Sequence, residues 1–392
     1  MPWDERTKVR ERVEFVKDFR SGLFQMTELC ERYGVSRVTG YKWLERCDEE
    51  GWNGLRDRPP VARHCPHRTS DEVREVLLAI RRRWGYGSRK LLRMVRDREP
   101  KRVWPAASTV TELFRSVGLL EASRRRRKPE HPGRPVTKAS EPNELWAADF
   151  KGQFRMRDSE YCYPLTVTDS CSRYLLGCRG LRGVKSSGVR KSFERLFEKY
   201  GLPRAIRTDN GSPFASIAIG RLSRLSVWWI RMGVRPELIE PGHPEQNGAH
   251  ERMHRELKKK VTRPPGRNMA EQQKRFDEFQ WEYNEIRPHE SLGQETPASL
   301  YRSSPRPYPK VLPQVEYPGH FEVRRVSRNG GVRWRKKWLN VSHALLEEYV
   351  GFEEIEDGVW SLYFGPLLLA RFDERNLQLY GARPYGSHQP NV

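Results

Sequence analysis

The chain has 392 residues, with 73 lysines and arginines against 51 acidic residues and a net charge of +22. At about 150 residues per domain this length predicts several domains, and the charge favours a polyanionic partner such as nucleic acid. No apolar run approaches the roughly 18 residues of a membrane-spanning helix, and the first residues lack the apolar segment of a secretory signal. The six cysteines form no CxxC pair, and we expect them to be reduced thiols.

The first 58 residues contain three helical segments separated by short turns. Apolar residues recur at helical spacing over 8–20, Thr27 is placed to cap a second helix, and Ser36 is placed to cap a third after Gly34. This order predicts a helix-turn-helix DNA-binding domain over 1–58. The alternative is a three-helix bundle with a solvated basic face.

The third helix is the one expected to enter the major groove. Its predicted faces are Arg37, Thr39 and Lys42 outside, for DNA contact, and Val38, Tyr41 and Leu44 inside. A glycine inside a helix costs about 1 kcal/mol relative to alanine. We expect Gly40 to be present because it permits another backbone to approach closely. Residues 51–60 have the composition of a linker.

Residues 68–121 contain a second set of three helical segments. Ser70, Ser88 and Ser108 mark the helix starts, and Gly118 marks the last stop. We predict a second, winged-helix-like DNA-binding unit here, the alternative being a helical spacer.

The segment 122–142 is rich in cations and prolines and cannot form a core. It is predicted to be a basic linker that tracks DNA phosphates. Its expected contact residues are Arg124, Arg125, Arg126, Arg127 and Lys128.

From residue 143 strands and helices alternate. Strands are predicted over 145–154, 161–168, 173–179, 203–208 and 234–239, and helices over 186–199, 245–261 and 269–285. This is the order of elements of an RNase H-like α/β core, which we expect over 143–302.

The last region, 318–383, is rich in predicted strands and is expected to form a small all-β SH3-like barrel. The dipeptide Asn329-Gly330 predicts a hairpin. After it, Val332, Trp334 and Trp338 alternate with Arg333, Arg335 and Lys337. The alternation predicts one aromatic face and one cationic face that contacts DNA.

Carboxylates stand at two points where metal-dependent phosphodiester chemistry would need them. Asp149 lies inside an apolar strand, where a charge is costly unless it is paired or ligated, and Asp209 directly follows a predicted strand. Two Mg²⁺ ions can be held by two or three such side chains. The alternative roles are an ion-paired strand residue for Asp149 and a turn residue for Asp209.

A third carboxylate must come from Glu245 or Glu251, which are separated from Asp209 by 35 and 41 residues. Glu245 lies before or at a helix start, where it suits the helix dipole. Glu251 lies within the helix and shares a face with Asn247, Arg255 and Lys258, which suit DNA contacts. We therefore favour Glu251 as the metal ligand.

Three runs, 146–149, 208–214 and 243–252, resemble the integrase core shared by bacterial insertion-sequence transposases and retroviral integrases. The run 287–292 resembles the end of that core in the bacterial branch. The resemblance implies an Asp-Asp-Glu triad of Asp149, Asp209 and Glu251 as catalytic residues and metal ligands, with Asp149 bridging both metals. The longer spacer before Glu251 implies an insertion around 216–232.

The resemblance further implies a DDE transposase that binds the terminal inverted repeats of its element, cleaves a strand and joins the freed 3′-OH to target DNA. Its expected cofactor is Mg²⁺, two ions, with Mn²⁺ able to substitute. Its expected partners are double-stranded DNA, at element ends and target, and further copies of itself as a dimer or higher homo-oligomer, without a membrane. Its expected location is the bacterial cytoplasm, on the nucleoid. A catalytically silent DNA-binding regulator derived from a transposase, and an RNase H-like nuclease, are the alternatives.

Overall fold

The computed structural model describes residues 8–58, 69–120, 139–216, 219–240, 246 and 248–381. The chain divides into two compact units, residues 1–71 and 72–392. The five cysteines in the described ranges are free thiols, as the sequence predicts. No helix in those ranges combines the length and the apolar character needed to cross a membrane.

The first unit contains three helices and a 3₁₀ turn: α1 (Lys8–Arg20), α2 (Met26–Arg32), α3 (Arg37–Glu50) and Gly51–Leu55. Ser36 caps α3 as predicted, its hydroxyl accepting a hydrogen bond from the Thr39 amide at 3.2 Å. Thr27 lies inside α2 and is not its cap. The helix start is instead stabilised by the Glu28 carboxylate, which accepts a hydrogen bond from the Gln25 amide at 3.1 Å.

The predicted faces of α3 are wrong at two positions. Val38 is 80% exposed and Tyr41 is 57% exposed, although the sequence analysis places both inside. The buried positions are Gly40, Leu44 and Cys47, which repeat at helical spacing of four and three residues. The exposed face of α3 therefore combines cations with apolar side chains.

The packing of Gly40 against the other two helices turns Val38 and Tyr41 toward solvent. A Cβ added to Gly40 would lie 2.9 Å from the Phe15 ring and 3.1 Å from the Cys30 sulfur. The absence of a side chain thus lets α3 approach α1 and α2 closely, as predicted.

The first half of the predicted linker is packed on the helices. Leu55 is fully buried, and its carbonyl accepts a hydrogen bond from the Arg12 guanidinium at 2.9 Å. A Cβ on Gly54 would overlap the Arg46 carbonyl oxygen, so the turn requires glycine. The helical unit therefore continues through Leu55.

The second unit opens with a helical module formed by α4 (Asp71–Trp84), α5 (Ser88–Arg98) and α6 (Ala107–Ser116). Leu77, Leu91, Val110 and Phe114 form its fully buried centre. Ser88 is the first residue of α5 and Gly87 is its N-cap, one residue earlier than predicted. Residues 69–120 contain no strand, so the wing of a winged helix is not formed there.

The central sheet has six strands: β1 (Leu145–Phe150), β2 (Phe154–Arg155), β3 (Tyr161–Asp169), β4 (Leu175–Leu181), β5 (Ala205–Thr208) and β6 (Arg235–Leu238). Its order is β4-β3-β1-β5-β6, with β2 also pairing β3. The pairs β1–β3 and β3–β4 are antiparallel, and β1–β5 and β5–β6 are parallel. This topology confirms the predicted RNase H-like core.

The associated helices are α7 (Ser186–Tyr200), α8 (Arg224–Arg231), α9 (Gly248–Val261), α10 (Met269–Trp281) and α11 (Pro297–Leu300). Trp146 on β1, Phe193 and Phe197 on α7, Ile206 on β5 and Trp229 on α8 pack in one buried cluster. The helices thus cover the apolar faces that the buried strands present.

The range 216–232, where an insertion is predicted, contains a helix packed on the core, and the insertion stays a prediction. α8 occupies its second half, and Trp228 and Trp229 are buried in the central cluster. Such a helix is the crossover that two parallel strands need. Before this helix, Ala215 and Leu222 pair as an antiparallel bridge.

The helical module lies against the chain that follows α10. Arg93 forms an ion pair with Glu295 at 2.8 Å and Arg89 one with Glu290 at 3.2 Å. Tyr86 donates a hydrogen bond to Glu282, and this contact also joins the helical module to the chain after α10.

The C-terminal region contains β7 (Glu322–Arg325), β8 (Gly331–Trp334), β9 (Lys337–Asn340), β10 (Tyr349–Glu356), β11 (Val359–Phe364), β12 (Leu367–Asp373) and β13 (Leu379–Gly381). Five strands form an antiparallel sheet in the order β13-β12-β11-β10-β7. β8 and β9 form a hairpin that turns at Arg335 and Lys336, so the hairpin predicted at Asn329-Gly330 is wrong: the strand before it, β7, pairs with β10. Trp334, Phe352, Phe364 and Phe372 form the core of this region, which extends to Ile230 of α8.

The predicted aromatic face of the hairpin is wrong at Trp338. Arg333 pairs with Trp338 across the hairpin, and directly opposed residues share a face. Trp338 is 47% exposed whereas Trp334 is buried. The turn at Arg335 and Lys336, both at positive φ, reverses the chain, so the alternation does not continue through it.

Candidate active site

Two carboxylates lie side by side at one edge of the central sheet. β1 and β5 are parallel, with Ala147 in register with Arg207. Asp149 and Asp209 each follow that pair by two residues. The carboxyl ends of neighbouring parallel strands thus bring together two residues that the sequence separates widely.

The environment of Asp149 disfavours its negative charge. Burial, and next the charge of Asp209, raise the pKa of Asp149 to about 7, and the charge of Glu251 acts in the same direction. Burial also raises the pKa of Asp209, against a hydrogen bond that its carboxylate accepts from the Gly211 amide at 3.2 Å. The site therefore concentrates negative charge that a cation would stabilise.

Helix α9 is fixed beside Asp149 by two buried histidines. The Thr166 hydroxyl lies 2.7 Å from Nε2 of His250 and 2.6 Å from Nε2 of His254. Thr168 lies 3.0 Å from Nδ1 of His250. Thr166 is also the direct cross-strand partner of Asp149, so the network joins α9 to the strands of the site.

Both histidines are neutral. Burial lowers the pKa of His250 to about 3 and that of His254 to about 2. Nδ1 of His254 lies 3.7 Å from Oδ2 of Asp149. This contact is consequently not an ion pair.

Glu251 lies on the exposed side of α9, in its first turn. It is one residue from His250, which is 2% exposed, and its charge reaches Asp149. Glu245 and Asn247 lie outside the described residues. The choice between the two glutamates stays a prediction.

The positions of the described side chains show how far the site could hold a metal ion. In the described ranges no three His, Cys, Asp or Glu side chains converge closely enough to hold an ion. Asp149 and Asp209 nevertheless fit a divalent cation, because they are adjacent, desolvated oxygen ligands of the kind that Mg²⁺ prefers. Glu251 would have to approach them to complete a triad.

A buried ion pair that the sequence does not indicate joins β5 and β6. Arg207 on β5 donates to Glu237 on β6 at 2.7 Å and to the Gln246 carbonyl at 3.3 Å. The Gln246 side chain accepts a hydrogen bond from the Glu240 amide at 3.0 Å. These contacts hold Glu240 and Gln246 close to the carboxyl ends of β5 and β6.

The predicted DNA-contact residues lie in several places. Arg37 and Lys42 are exposed on α3, whereas Thr39 is half-buried and bonded to Ser36. Exposed cations also include Arg255 and Lys258 on α9 and Arg333 and Lys337 on the hairpin. Arg335 is exposed and pairs with Glu374 at 2.8 Å. The predicted contacts Arg124, Arg125, Arg126, Arg127 and Lys128 lie outside the described residues.

Known protein families match most of the chain in order. An integrase core domain family matches residues 139–244, a second integrase core domain family matches 232–297, and a helix-turn-helix domain family matches 11–63. The two core matches together cover all six strands of the central sheet and the helix that carries Glu251.

Relatives include proteins of bacterial insertion elements and of retroviruses. The uncharacterized 39.2 kDa protein of insertion element IS476 from Xanthomonas euvesicatoria is 28% identical over 57% of this chain and 62% of that protein. The uncharacterized 31.7 kDa protein of IS407 from Burkholderia multivorans is 27% identical over 59% of this chain and 82% of that protein. The match therefore spans less than two thirds of the first of them.

Similar solved structures come from retroviral integrases. The HTLV-2 integrase catalytic core domain in complex with magnesium is 15% identical, with a TM-score of 0.34, over 42% of this chain and 100% of that chain. A simian T-cell lymphotropic virus intasome chain is 16% identical, with a TM-score of 0.38, over 74% of this chain and 97% of that chain. Residues 139–297 of the chain thus match integrase core domain families, and the chain is similar to proteins of bacterial insertion elements.

Proposed function

We propose that this protein is a DDE transposase that binds the terminal inverted repeats of its insertion sequence and catalyses Mg²⁺-dependent strand cleavage and strand transfer. One observation carries the proposal: Asp149 and Asp209 stand together at the carboxyl ends of adjacent parallel strands. A helix bearing Glu251 is fixed beside them by buried hydrogen bonds.

Asp149, Asp209 and Glu251 are the residues that would hold two Mg²⁺ ions, or Mn²⁺ in their place. Such ions, when bound, supply an activated water and stabilise the oxygens of an in-line displacement. The chain supplies ligand positions on rigid elements, as a catalytic site requires. The β1–β5 pairing supports two of these positions. The histidines that anchor α9 support the third, and Glu251 would still have to approach the two aspartates.

Element ends would be recognised by the first unit. α3 presents Arg37, Lys42, Val38 and Tyr41 to solvent, and such a helix suits the major groove. Arginine and lysine can bond to guanine edges and phosphates, and apolar side chains can contact thymine methyl groups. Within the second unit, the exposed cations of α9 and of the β8–β9 hairpin would also contact DNA phosphates.

The remaining parts have supporting roles in this proposal. The boundaries are 1–58 and 68–121 for two DNA-binding modules, 122–142 for a basic linker, 143–302 for the core and 318–383 for an SH3-like barrel. Two DNA ends must be processed together, so a homo-oligomer of two or more chains is expected on DNA in the bacterial cytoplasm.

The proposal is tested with a labelled DNA duplex that carries the element end. The full chain with Mg²⁺ should release a 3′-OH at the end and then join it to a second duplex, and EDTA should stop both steps. Specific binding of the end without cleavage, in Mg²⁺ and in Mn²⁺, would instead indicate a regulator that has kept the fold. Cleavage without joining would indicate a nuclease.

A further inference from the structure

An open pocket of about 530 Å³ lies between the end of α8 and the C-terminal sheet, within the second unit. Three aromatic side chains and one carboxylate are among the residues that line it: Tyr317, Phe321, Tyr363 and Glu353. None of these four belongs to the carboxylate site or to the surfaces that the proposed function assigns to DNA. The pocket is therefore a separate feature of the C-terminal region.

The aromatic walls of the pocket are held by the backbone of β10. Gly351 of β10 lies directly opposite Tyr363 of β11, and a Cβ on Gly351 would overlap the Tyr317 ring and lie 2.8 Å from the Phe321 ring. The Phe321 ring centroid lies 6.0 Å from that of Tyr317 and 5.4 Å from that of Tyr363. The Tyr317 hydroxyl donates to the Tyr349 carbonyl at 2.8 Å. The three rings are thus in place before any ligand binds.

Glu353 places a carboxylate beside these rings. It follows Gly351 by two residues on β10, so the two positions share a face of the strand. The Tyr363 hydroxyl donates a hydrogen bond to its carboxylate, which also lies 3.5 Å from Nε2 of the exposed His320. The Glu353 side chain is 30% exposed, so a ligand in the pocket can reach its charge.

The basic residue that lines the pocket is already bonded. The Arg231 guanidinium pairs with Glu348 at 3.3 Å and donates to the Pro313 and Leu312 carbonyls at 3.1 and 3.2 Å. Glu316, which also lines the pocket, is exposed. The charge that the pocket offers to a ligand is consequently negative, in a chain whose net charge is +22.

Aromatic rings beside a carboxylate suit a cation. Ring faces attract a cation that lies within about 6 Å of their centroids. A guanidinium is planar, so it can stack on such rings and still form paired hydrogen bonds with a carboxylate. A DNA phosphate would instead face the like charge of Glu353. The pocket thus fits an arginine side chain better than it fits nucleic acid.

A second copy of this chain is the partner that charge complementarity favours. Two chains of net charge +22 repel each other, and their association needs places where a cation of one chain meets an acidic site of the other. We propose that this pocket receives an exposed arginine side chain of a second copy and so holds two copies together. Self-association of this kind goes beyond the function proposed above, since it needs neither DNA nor metal.

The test is sedimentation velocity of the full chain without DNA or Mg²⁺. The wild type should associate as its concentration rises, and Phe321→Ala and Glu353→Gln should each raise the dissociation constant by about tenfold or more. N-acetylarginine methylamide, used as a free guanidinium probe, should weaken wild-type association more than the lysine analogue does. Glu322→Gln is the matched control and should associate like the wild type, because Glu322 lies outside the pocket on β7 and pairs with Arg324 at 2.6 Å.

Wild-type chains that stay monomeric up to about 0.1 mM, or Glu353→Gln chains that associate like the wild type, would overturn the proposal. Glutamine keeps the shape of Glu353, so this comparison stands even if urea unfolding shows that Phe321→Ala does not fold. If Phe321→Ala weakens binding of a single-stranded oligonucleotide and leaves self-association unchanged, the pocket takes a DNA base and the proposal is also overturned. Chains that associate through the pocket but cleave no element end would refute the transposase proposal and support this one.

Discussion

Replacement of Asp149 by asparagine should stabilise the metal-free protein while removing its activity. The folded protein raises the pKa of this carboxyl from 3.8 to about 7, chiefly because the side chain is buried and Asp209 lies beside it. A carboxyl whose pKa is raised by folding favours the folded state at low pH. That contribution is lost as the pH rises from about 4 to about 7, because ionisation is then easier in the unfolded chain.

The size of the effect follows from the same pKa values. At about 1.4 kcal/mol for each pH unit, a rise from 3.8 to about 7 corresponds to at most about 4 kcal/mol. The Asp149 side chain is 21% exposed, so screening by solvent reduces this free energy only in part. Asparagine has nearly the same shape and no charge, and Asp149→Asn should therefore recover up to about 4 kcal/mol near pH 8.

Urea unfolding followed by tryptophan fluorescence measures this difference, since Trp146 and Trp229 are buried in the same core. The variant should exceed the wild type in stability near pH 8, and the difference should vanish near pH 4. Added Mg²⁺ should stabilise the wild type and not the variant. Glu251→Gln, at an exposed position, is the control and should change stability by less than about 1 kcal/mol. Equal stability of Asp149→Asn and wild type near pH 8 would refute the reasoning.

Three further outcomes are expected. Glu251→Gln should lose strand transfer, whereas Glu245→Gln should keep most of it because only about 1 kcal/mol of helix-dipole interaction is removed; the reverse result in matched assays would favour the shorter spacing. Gly40→Ala should lower the unfolding free energy of the first unit by about 1 kcal/mol net, since a Cβ there crowds the neighbouring helices; unchanged urea midpoints would contradict this. Replacement of both Arg333 and Lys337 by glutamine should reduce the slope of log K against log salt by up to about 2, and an unchanged slope would remove the hairpin from the DNA interface.

Local signals predicted the elements of the core well. Apolar runs separated by polar turns gave β3 to β6 nearly in place, whereas β1 and β2 were predicted as one strand over 145–154. Asp149 and Asp209 were candidates from their places inside and directly after predicted strands, whereas the parallel pairing of β1 with β5 required the structure. Capping by Ser36 was also readable, because the cap and the amide it bonds are only three residues apart.

Features that depend on tertiary contacts were misplaced or missed. The faces of α3 depend on how closely Gly40 packs against Phe15, which periodicity cannot determine. The side of Trp338 depends on the length of the hairpin turn. The spacing of His250 and His254, four residues apart and flanking Glu251, was a visible signal. Their partner Thr166 is more than 80 residues away, so the network required the structure.

The account is tested most directly by joining of a pre-cleaved, labelled element end to target DNA in Mg²⁺. The wild-type protein should form the joined product. Asp209→Asn should bind the same end with unchanged affinity, because α3 is untouched, and should form none. Joining by Asp209→Asn at the wild-type rate would contradict a carboxylate metal site at the ends of β1 and β5.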